Sequence, residues 1–301
     1  MSILISIFIS GYHGKTTDFA KNSSCHRTTI AHFLNSGKWD DPLLADTLKR
    51  SVIEIIYSEA ARTGKPVFCI VDDTIASKTK PSSRALHPIE DAYFLCDCWY
   101  VSEKIINTFA RKGFHTIGAL KTNRMLYPFG IRQKLSEFAA LLSVTYADFH
   151  LVTVKKQKYY VYRYEGKLNG IENAVVLLSY PEKAFGKPKA LRAFLSTDVS
   201  LSTDEILSYY VCRWPIEVFF RQCKDKLALD SYQIRSAQGI RRYWLIMSLA
   251  HYMCVIGNGE SSSFENGYRQ ICDVIQLEKY RYIFQCAKAS NDFDAFMKVA
   301  V

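Results

Sequence analysis

The chain has 301 residues, 49% of them hydrophobic, which excludes wholesale disorder and suffices for the core of one large domain or two ordinary ones. Lys and Arg number 39 against 29 Asp and Glu, and the net charge of +10 favours a polyanionic partner, nucleic acid ahead of a membrane surface. The nine Cys form no CxxC pair and read as reduced thiols of a cytosolic protein, while the seven His lack any zinc-binding spacing.

Residues 1–64 read as helical. Thr16-Thr17-Asp18 and Ser23-Ser24 offer N-caps, and Ser24–Leu34 has the polar N-terminal end of the second helix of a helix-turn-helix, so this region is a candidate DNA contact. Gly37 would stop that helix. Asp41-Pro42 opens another, with Leu44, Leu48, Val52 and Ile55-Ile56 along one side. Neither Ile3–Ile9 nor Trp244–Ile256 is long enough to span a bilayer, and both read as core segments.

Gly64-Lys65-Pro66 breaks the helical pattern, and Val67–Val71 follows as a buried strand. The polar stretch 76–88 reads as a loop. A second strand runs from Ala92 to Cys96, a helix from Ser102 to Arg111, a third strand over His115–Lys121 and a short helix over Ser136–Leu142. From Leu151 the hydrophobic period changes to two. Leu151–Val154, Lys158–Tyr164 and Ala174–Ser179 are expected strands, with Lys155-Lys156-Gln157 and Gly166–Gly170 as turns, and Phe194–Thr197 as a further strand. Thr203-Asp204-Glu205 caps a helix leading to Tyr210. The expected organisation is therefore α/β: an N-terminal helical region over 1–64, a core over 65–144 and 202–257, a β-rich insertion over 145–201, and a helical tail over 258–301.

Three acidic positions carry the chemistry. Asp72 and Asp97 each close an apolar run, and carboxylates at strand ends can point into a shared crevice. Glu217 lies in a helical cluster. At roughly 100° per residue, Tyr210, Arg213, Glu217, Arg221 and Lys224 fall within an arc of about 80°. Pro215 requires either a kink or a helix starting there, and in the second case Glu217, Arg221 and Lys224 still share a face. Two aspartates and a glutamate can hold two hard divalent cations and drive in-line attack on a phosphodiester. Asp73 competes with Asp72 for the ion, but strand alternation allows only one of them, and Asp72 is preferred. Residues 101–168 hold twelve basic side chains against four acidic ones, with Lys121 and Arg124 among them, and form with Arg213, Arg221 and Lys224 the expected DNA-binding surface. Trp214, beside Arg213, is suited to stacking on bases, whereas Trp99 reads as a core residue.

The chain resembles the bacterial insertion-sequence transposases of the DDE type. Asp72-Asp73-Thr74 resembles the family's Asp-Asp-Thr; Asp97, Trp99 and Tyr100 resemble its Asp-x-Trp-Tyr; Tyr210, Arg213, Glu217 and Lys224 resemble its Tyr-Arg-Glu-Lys signature. The resemblance implies an RNase H-like mixed sheet with flanking helices and a β-strand insertion before the glutamate. It also implies catalysis with Mg2+ or Mn2+ on Asp72, Asp97 and Glu217: nicking at transposon ends, then strand transfer by a 3′-hydroxyl into target DNA. The implied partners are double-stranded DNA and, on DNA, a second copy of the chain, in the bacterial cytoplasm with the nucleoid and with no membrane. In such folds two further strands and a helix separate the two aspartate strands, whereas here only 24 residues separate Asp72 from Asp97. Residues 76–91 allow a crossover between two parallel strands but not a two-stranded meander plus a helix, so an internal block is missing and the sheet is expected to be incomplete. The alternatives are a non-catalytic relative that binds transposon ends and an RNase H-like nuclease unconnected with transposition.

Overall fold

The computed structural model describes residues 2–9, 14–21, 23, 25–72, 92–142, 148–256, 263–289 and 292–294. Ser24, Asp73, Thr74 and the spacer 76–91 lie outside the described residues. In chain order the elements are α1 (Ser2–Ile7), α2 (Thr16–Lys21), α3 (Arg27–Asn35), α4 (Asp41–Thr63), β1 (Val67–Val71), β2 (Ala92–Cys96), α5 (Glu103–Ala110), β3 (His115–Leu120), β4 (Met125–Leu126) and β5 (Gln133–Lys134). They continue with α6 (Leu135–Leu142), β6 (His150–Val154), β7 (Gln157–Leu168), β8 (Ile171–Pro181), β9 (Arg192–Ser196), α7 (Thr203–Val211), α8 (Pro215–Leu227), α9 (Ala237–Ile256) and α10 (Phe264–Ala289). The chain divides into two compact units, one of Met1–Glu54 with Val218–Val301 and one of Ile55–Glu217.

The first unit is helical. Its core gathers Ile7, Phe19, Leu34, Leu227, Tyr243 and Met247, with α9 supplying the segment that is too short for a membrane. Among the described residues no helix is long and apolar enough to cross one. The N-cap of α3 is His26, whose Nδ1 accepts the Thr28 N–H at 3.4 Å. A buried cation ties this unit together. Arg242 of α9 donates to Asp41 Oδ1 at 2.9 and 2.7 Å and to the Phe33 carbonyl at 3.1 Å, and lies over the Trp39 ring. Its burial is tolerated because its donors meet acceptors on all sides. The apolar side expected on α4 is only partly covered: Leu44, Leu48 and Val52 are half-buried, while Ile55 and Ile56 are exposed.

The second unit is built on one mixed sheet of order β1-β2-β3-β9-β8-β7-β4-β5, with β6 also paired to β7. β1, β2 and β3 are parallel, and the remaining pairings are antiparallel. The β-rich stretch read as an insertion thus hydrogen-bonds into the same sheet, through the antiparallel pair β3–β9. β2 shows why the sheet is covered on both faces. Phe94 and Cys96 join a core with Ile106 of α5 and Phe138 of α6, while Tyr93 and Leu95 join another with Ile206 and Leu207 of α7. The period of two sends alternate side chains to opposite faces, so a strand buried on both sides must be apolar throughout. This mixed sheet with helices on both faces is the RNase H-like arrangement expected from the sequence.

β1 differs from its neighbour. Every residue of Val67–Val71 is only half-buried, whereas every residue of β2 is buried. β1 stands at the end of the strand order, paired on one side among the described residues. An apolar five-residue edge strand is a liability that folded proteins ordinarily cover. The turn expected over Gly166–Gly170 narrows to Asn169-Gly170, because β7 continues past a register shift at Gly166 to pair Leu168 with Ile171. Gly170 supplies the positive φ of 84° that such a two-residue hairpin needs.

Candidate active site

The parallel register sets the two aspartates. Val71 of β1 pairs with Cys96 of β2, so Asp72 and Asp97 each follow a matched pair at the same C-terminal edge. Neighbouring strands lie about 4.8 Å apart, which brings the two positions side by side at strand level. Cys96 also pairs with Gly118 of the parallel strand β3, and Lys121 follows the end of that strand. Three polar residues therefore leave three adjacent parallel strands at the carboxyl edge, where open α/β sheets bind their ligands. Gly118 is required beneath them: a Cβ there would meet Val101 Cγ2 at 2.6 Å and Cys96 Sγ at 2.9 Å.

The helical cluster is interrupted. α7 ends at Val211, a turn covers Cys212–Trp214, and α8 begins at Pro215. Of the two arrangements open to the sequence, the structure adopts the helix that starts at proline, whose missing N–H and fixed φ suit that position. Tyr210 and Arg213 thus belong to the end of α7 and the turn, not to one continuous helix with Glu217. The Arg213 N–H donates to the Tyr210 carbonyl at 3.0 Å, and the Glu217 N–H to the Trp214 carbonyl at 3.1 Å.

That turn aims Arg213 at both carboxylates. Its Nη1 donates to Asp72 Oδ2 at 3.1 Å and its Nη2 to Glu217 Oε1 at 2.8 Å. The Arg213 and Asp72 side chains are 14% and 15% exposed and Glu217 is 42% exposed, so the first pair is the better shielded. Burial by itself would lower the Arg213 pKa, but the hydrogen bond with Glu217 and the neighbouring charges of Tyr210, Asp72 and Glu217 outweigh it, and the pKa is raised. Burial raises the Tyr210 phenol; the Arg213 charge and hydrogen bond oppose the rise, and the Asp97 charge adds to it. Tyr210 thus feels Arg213 and Asp97 together, as does Cys96. Burial also pushes the Cys96 thiol up to about 12, with the Asp97 charge contributing.

A family model described as Transposase DDE domain matches residues 60–253. The chain belongs to the DDE transposase family. None of the curated proteins matches it. The matched residues of this transposase include Asp72, Asp97 and Glu217 and stop short of the first three helices and α10.

The structure brings Asp72 and Glu217 onto one positive charge. Transposases of this family generally use divalent metals, and two carboxylates focused on one cation match the hard oxygen donors such ions take. The fit lies in that pair. Among the described residues no group of three or more His, Cys, Asp or Glu capable of holding a metal is assembled. The Asp97 carboxylate is engaged locally, accepting the Trp99 N–H at 2.8 Å in a turn closed by its own side chain. Asp73, the competitor of Asp72, lies outside the described residues.

The expected DNA-binding residues divide by environment. Lys121, Arg221 and Lys224 are exposed, and Trp214 is 57% exposed. Arg124 is half-buried and its guanidinium donates to the Val101 carbonyl, so it also braces the segment before α5. Trp99 corrects the reading of the sequence. It is not in the core but 70% exposed, because the turn closed by Asp97 swings it off the end of β2. No motif or spacing marks Asn123 and Asn169, which line a cleft with Trp99; asparagines in such segments read as turn formers.

Proposed function

We propose that the chain is a DNA transposase whose Asp72, Asp97 and Glu217 are the acidic residues of the cutting and joining site. The observation that carries this reading is the convergence of Asp72 and Glu217, from a strand end and a helix start, on Arg213. The first step is hydrolysis: a water oxygen bonds to the phosphorus at a transposon end as the bond to the 3′-oxygen breaks, freeing a 3′-hydroxyl. In the second step that hydroxyl attacks a phosphodiester of target DNA, so one phosphodiester is exchanged for another and no external energy is required. Asp72, Asp97 and Glu217 would hold Mg2+ or Mn2+, which when bound supplies charge neutralisation at the phosphate and activation of the attacking oxygen. Arg213, held by Asp72 and Glu217, contributes a fixed positive charge beside the reacting phosphate.

Glu217→Gln removes one charge and one ligand oxygen while keeping shape and helix propensity. Nicking of an end substrate is expected to fall on the order of 10³-fold, the scale of losing one charge-stabilising group from a reacting centre. DNA affinity should be unchanged or higher, since a negative charge has left the site. Nicking at the parent's rate would remove Glu217 from the site.

The substrate is double-stranded DNA, gripped by the basic face of residues 101–168 and by Arg213, Arg221 and Lys224, with a second copy pairing the other transposon end in the bacterial cytoplasm. The logarithm of the binding constant should fall linearly with that of salt concentration, with a slope of about −0.9 for each phosphate neutralised. Binding insensitive to salt between low and physiological concentrations would contradict this.

A second reading, a decayed copy that binds ends without cutting them, is favoured by one observation: β1, which carries Asp72, is half-exposed along its whole length. Metal-dependent nicking separates the two.

A further inference from the structure

Between β4 and β5, the loop of residues 127–132 holds two apolar side chains in water: Phe129 is 97% exposed and Ile131 67%. The root of the loop is firm. Leu126 and Leu135 are fully buried, Pro128 is buried, and Leu126 pairs with both Gln133 of β5 and Leu168 of β7. The tip is hydrogen-bonded to itself, with the Gly130 N–H donating to the Tyr127 carbonyl at 3.1 Å and the Ile131 N–H to the Pro128 carbonyl at 2.9 Å. Phe129 lies in the left-handed region, at φ 54° and ψ 28°, and Gly130 follows at φ 79°. A bulky L-residue is strained there, whereas glycine is not. The chain thus keeps an aromatic ring in water on a strained backbone, and strain of this kind persists where function uses it.

The neighbouring charges narrow what this finger enters. Arg132 is exposed and joins no ion pair among the described residues. Lys134 follows on β5, exposed and 3.2 Å from Glu137. The surrounding stretch 101–168 holds twelve basic side chains against four acidic ones. A fitting partner combines negative charge outside with an apolar slot inside. Duplex DNA offers both: phosphates line its surface, and the faces of its base pairs part most easily at flexible pyrimidine–purine steps. Side chains such as Phe and Ile can enter such a step from the minor groove, partly unstack it and kink the helix.

We propose that Phe129 and Ile131 form a wedge that enters a base step of duplex DNA and kinks it, with Arg132 on an adjacent phosphate. The proposal rests on the reading of the chain as a DNA-processing enzyme and adds the shape of the DNA it holds: a bent duplex whose base pairs stay formed. The fixed tip matters, because a ring already held out in its bound position loses little freedom when DNA arrives. The cost of bending is offset by the phosphates that a kinked duplex brings onto Arg132 and the cations around it.

The test adds the full-length chain, in EDTA so that nothing is cut, to a blunt duplex of about 30 base pairs with a TA step at its centre and a dye at each end. Energy transfer between the dyes reads the bend. Binding of the parent should raise it to the level of a kink of about 20° or more. Phe129→Gly combined with Ile131→Ala should bind without raising it, and with an unchanged salt slope, because the phosphate contacts remain. Phe129→Leu should keep most of the bend, since leucine also serves as a wedge. Both side chains are exposed and glycine suits the left-handed position, so the combined variant should melt no lower than the parent. A parent that binds the duplex and leaves it straight, or a bend that survives in the combined variant, would overturn the wedge and leave the DNA-processing reading intact. Binding to anionic phospholipid vesicles that is lost in the combined variant, with no bend in DNA, would make the finger a membrane anchor and also overturn the wedge. A parent that bound no duplex would overturn both readings.

Discussion

Arg213→Ala is expected to lower the unfolding free energy by about 2–3 kcal/mol and, at the same time, to raise affinity for Mn2+ roughly tenfold. The two effects share one cause. Arg213 donates to Asp72 at 3.1 Å and to Glu217 at 2.8 Å, and without it both carboxylates lose that positive charge. Fully buried pairs cost about 3–5 kcal/mol when one partner is removed and exposed pairs under about 1 kcal/mol; the 14% and 15% exposure of Arg213 and Asp72 places this pair nearer the first limit, and the 42% exposure of Glu217 moderates it. Divalent ions compete with the guanidinium for the same oxygens, so its removal favours them. Chemical denaturation with and without Mn2+ reads both quantities. A variant that is destabilised but binds Mn2+ no better would mean that the carboxylates serve only the arginine. Arg213→Lys should recover part of the stability but not the geometry, since an ammonium cannot present two parallel donors to two carboxylates.

The second large effect concerns the 24 residues between Asp72 and Asp97. Reinserting a strand–strand–helix segment from a related transposase near Asp91 should convert a poorly soluble or inactive protein into one that unfolds cooperatively and nicks DNA in a metal-dependent way. The physical ground is visible in β1: an apolar strand, half-buried at all five residues, beside a strand with all five buried. Added strands would pair the edge of β1 that carries no partner strand among the described residues, and a helix would cover its face. Solubility, the sharpness of thermal unfolding and nicking can be measured on the same two proteins. A native-length chain that was monodisperse, unfolded cooperatively and cut transposon ends would contradict this, and the short spacer would then be a compact variant of the fold.

Local signals in the sequence were sufficient for most elements. Val67–Val71, Ala92–Cys96 and His115–Leu120 appear where apolar runs place them, and the helix from Glu103 follows the Ser102 boundary. Strand ends marked by Asp72 and Asp97 were legible for the same reason, since an acidic residue closing an apolar run is a local event. Long-range facts were not. The ion pair of Arg213 with Asp72 joins residues 141 apart, and no spacing along the chain reports it. The pairing of β3 with β9, which draws the β-rich stretch into the main sheet, is set by hydrophobic faces that look alike in sequence. The exposure of Trp99 is not legible in the sequence, because an aromatic after a buried strand is ordinarily core; the Asp97 carboxylate, accepting its backbone N–H, turns it outward. The burial of Arg242 in α9 has no local signature either, because its partners lie on and around α3 and at the start of α4, about 200 residues away.

The central claim is that Asp72, Asp97 and Glu217 form one cation-holding site. Calorimetric titration of Mn2+ into the full-length protein and into Glu217→Gln tests it most directly, because binding can be measured whether or not the chain cuts DNA. The account predicts saturable binding to the parent and an affinity at least about tenfold lower in the variant, the 1.4 kcal/mol or more expected for losing a ligand oxygen and its charge. No saturable binding to the parent, or equal affinity in both proteins, would contradict it.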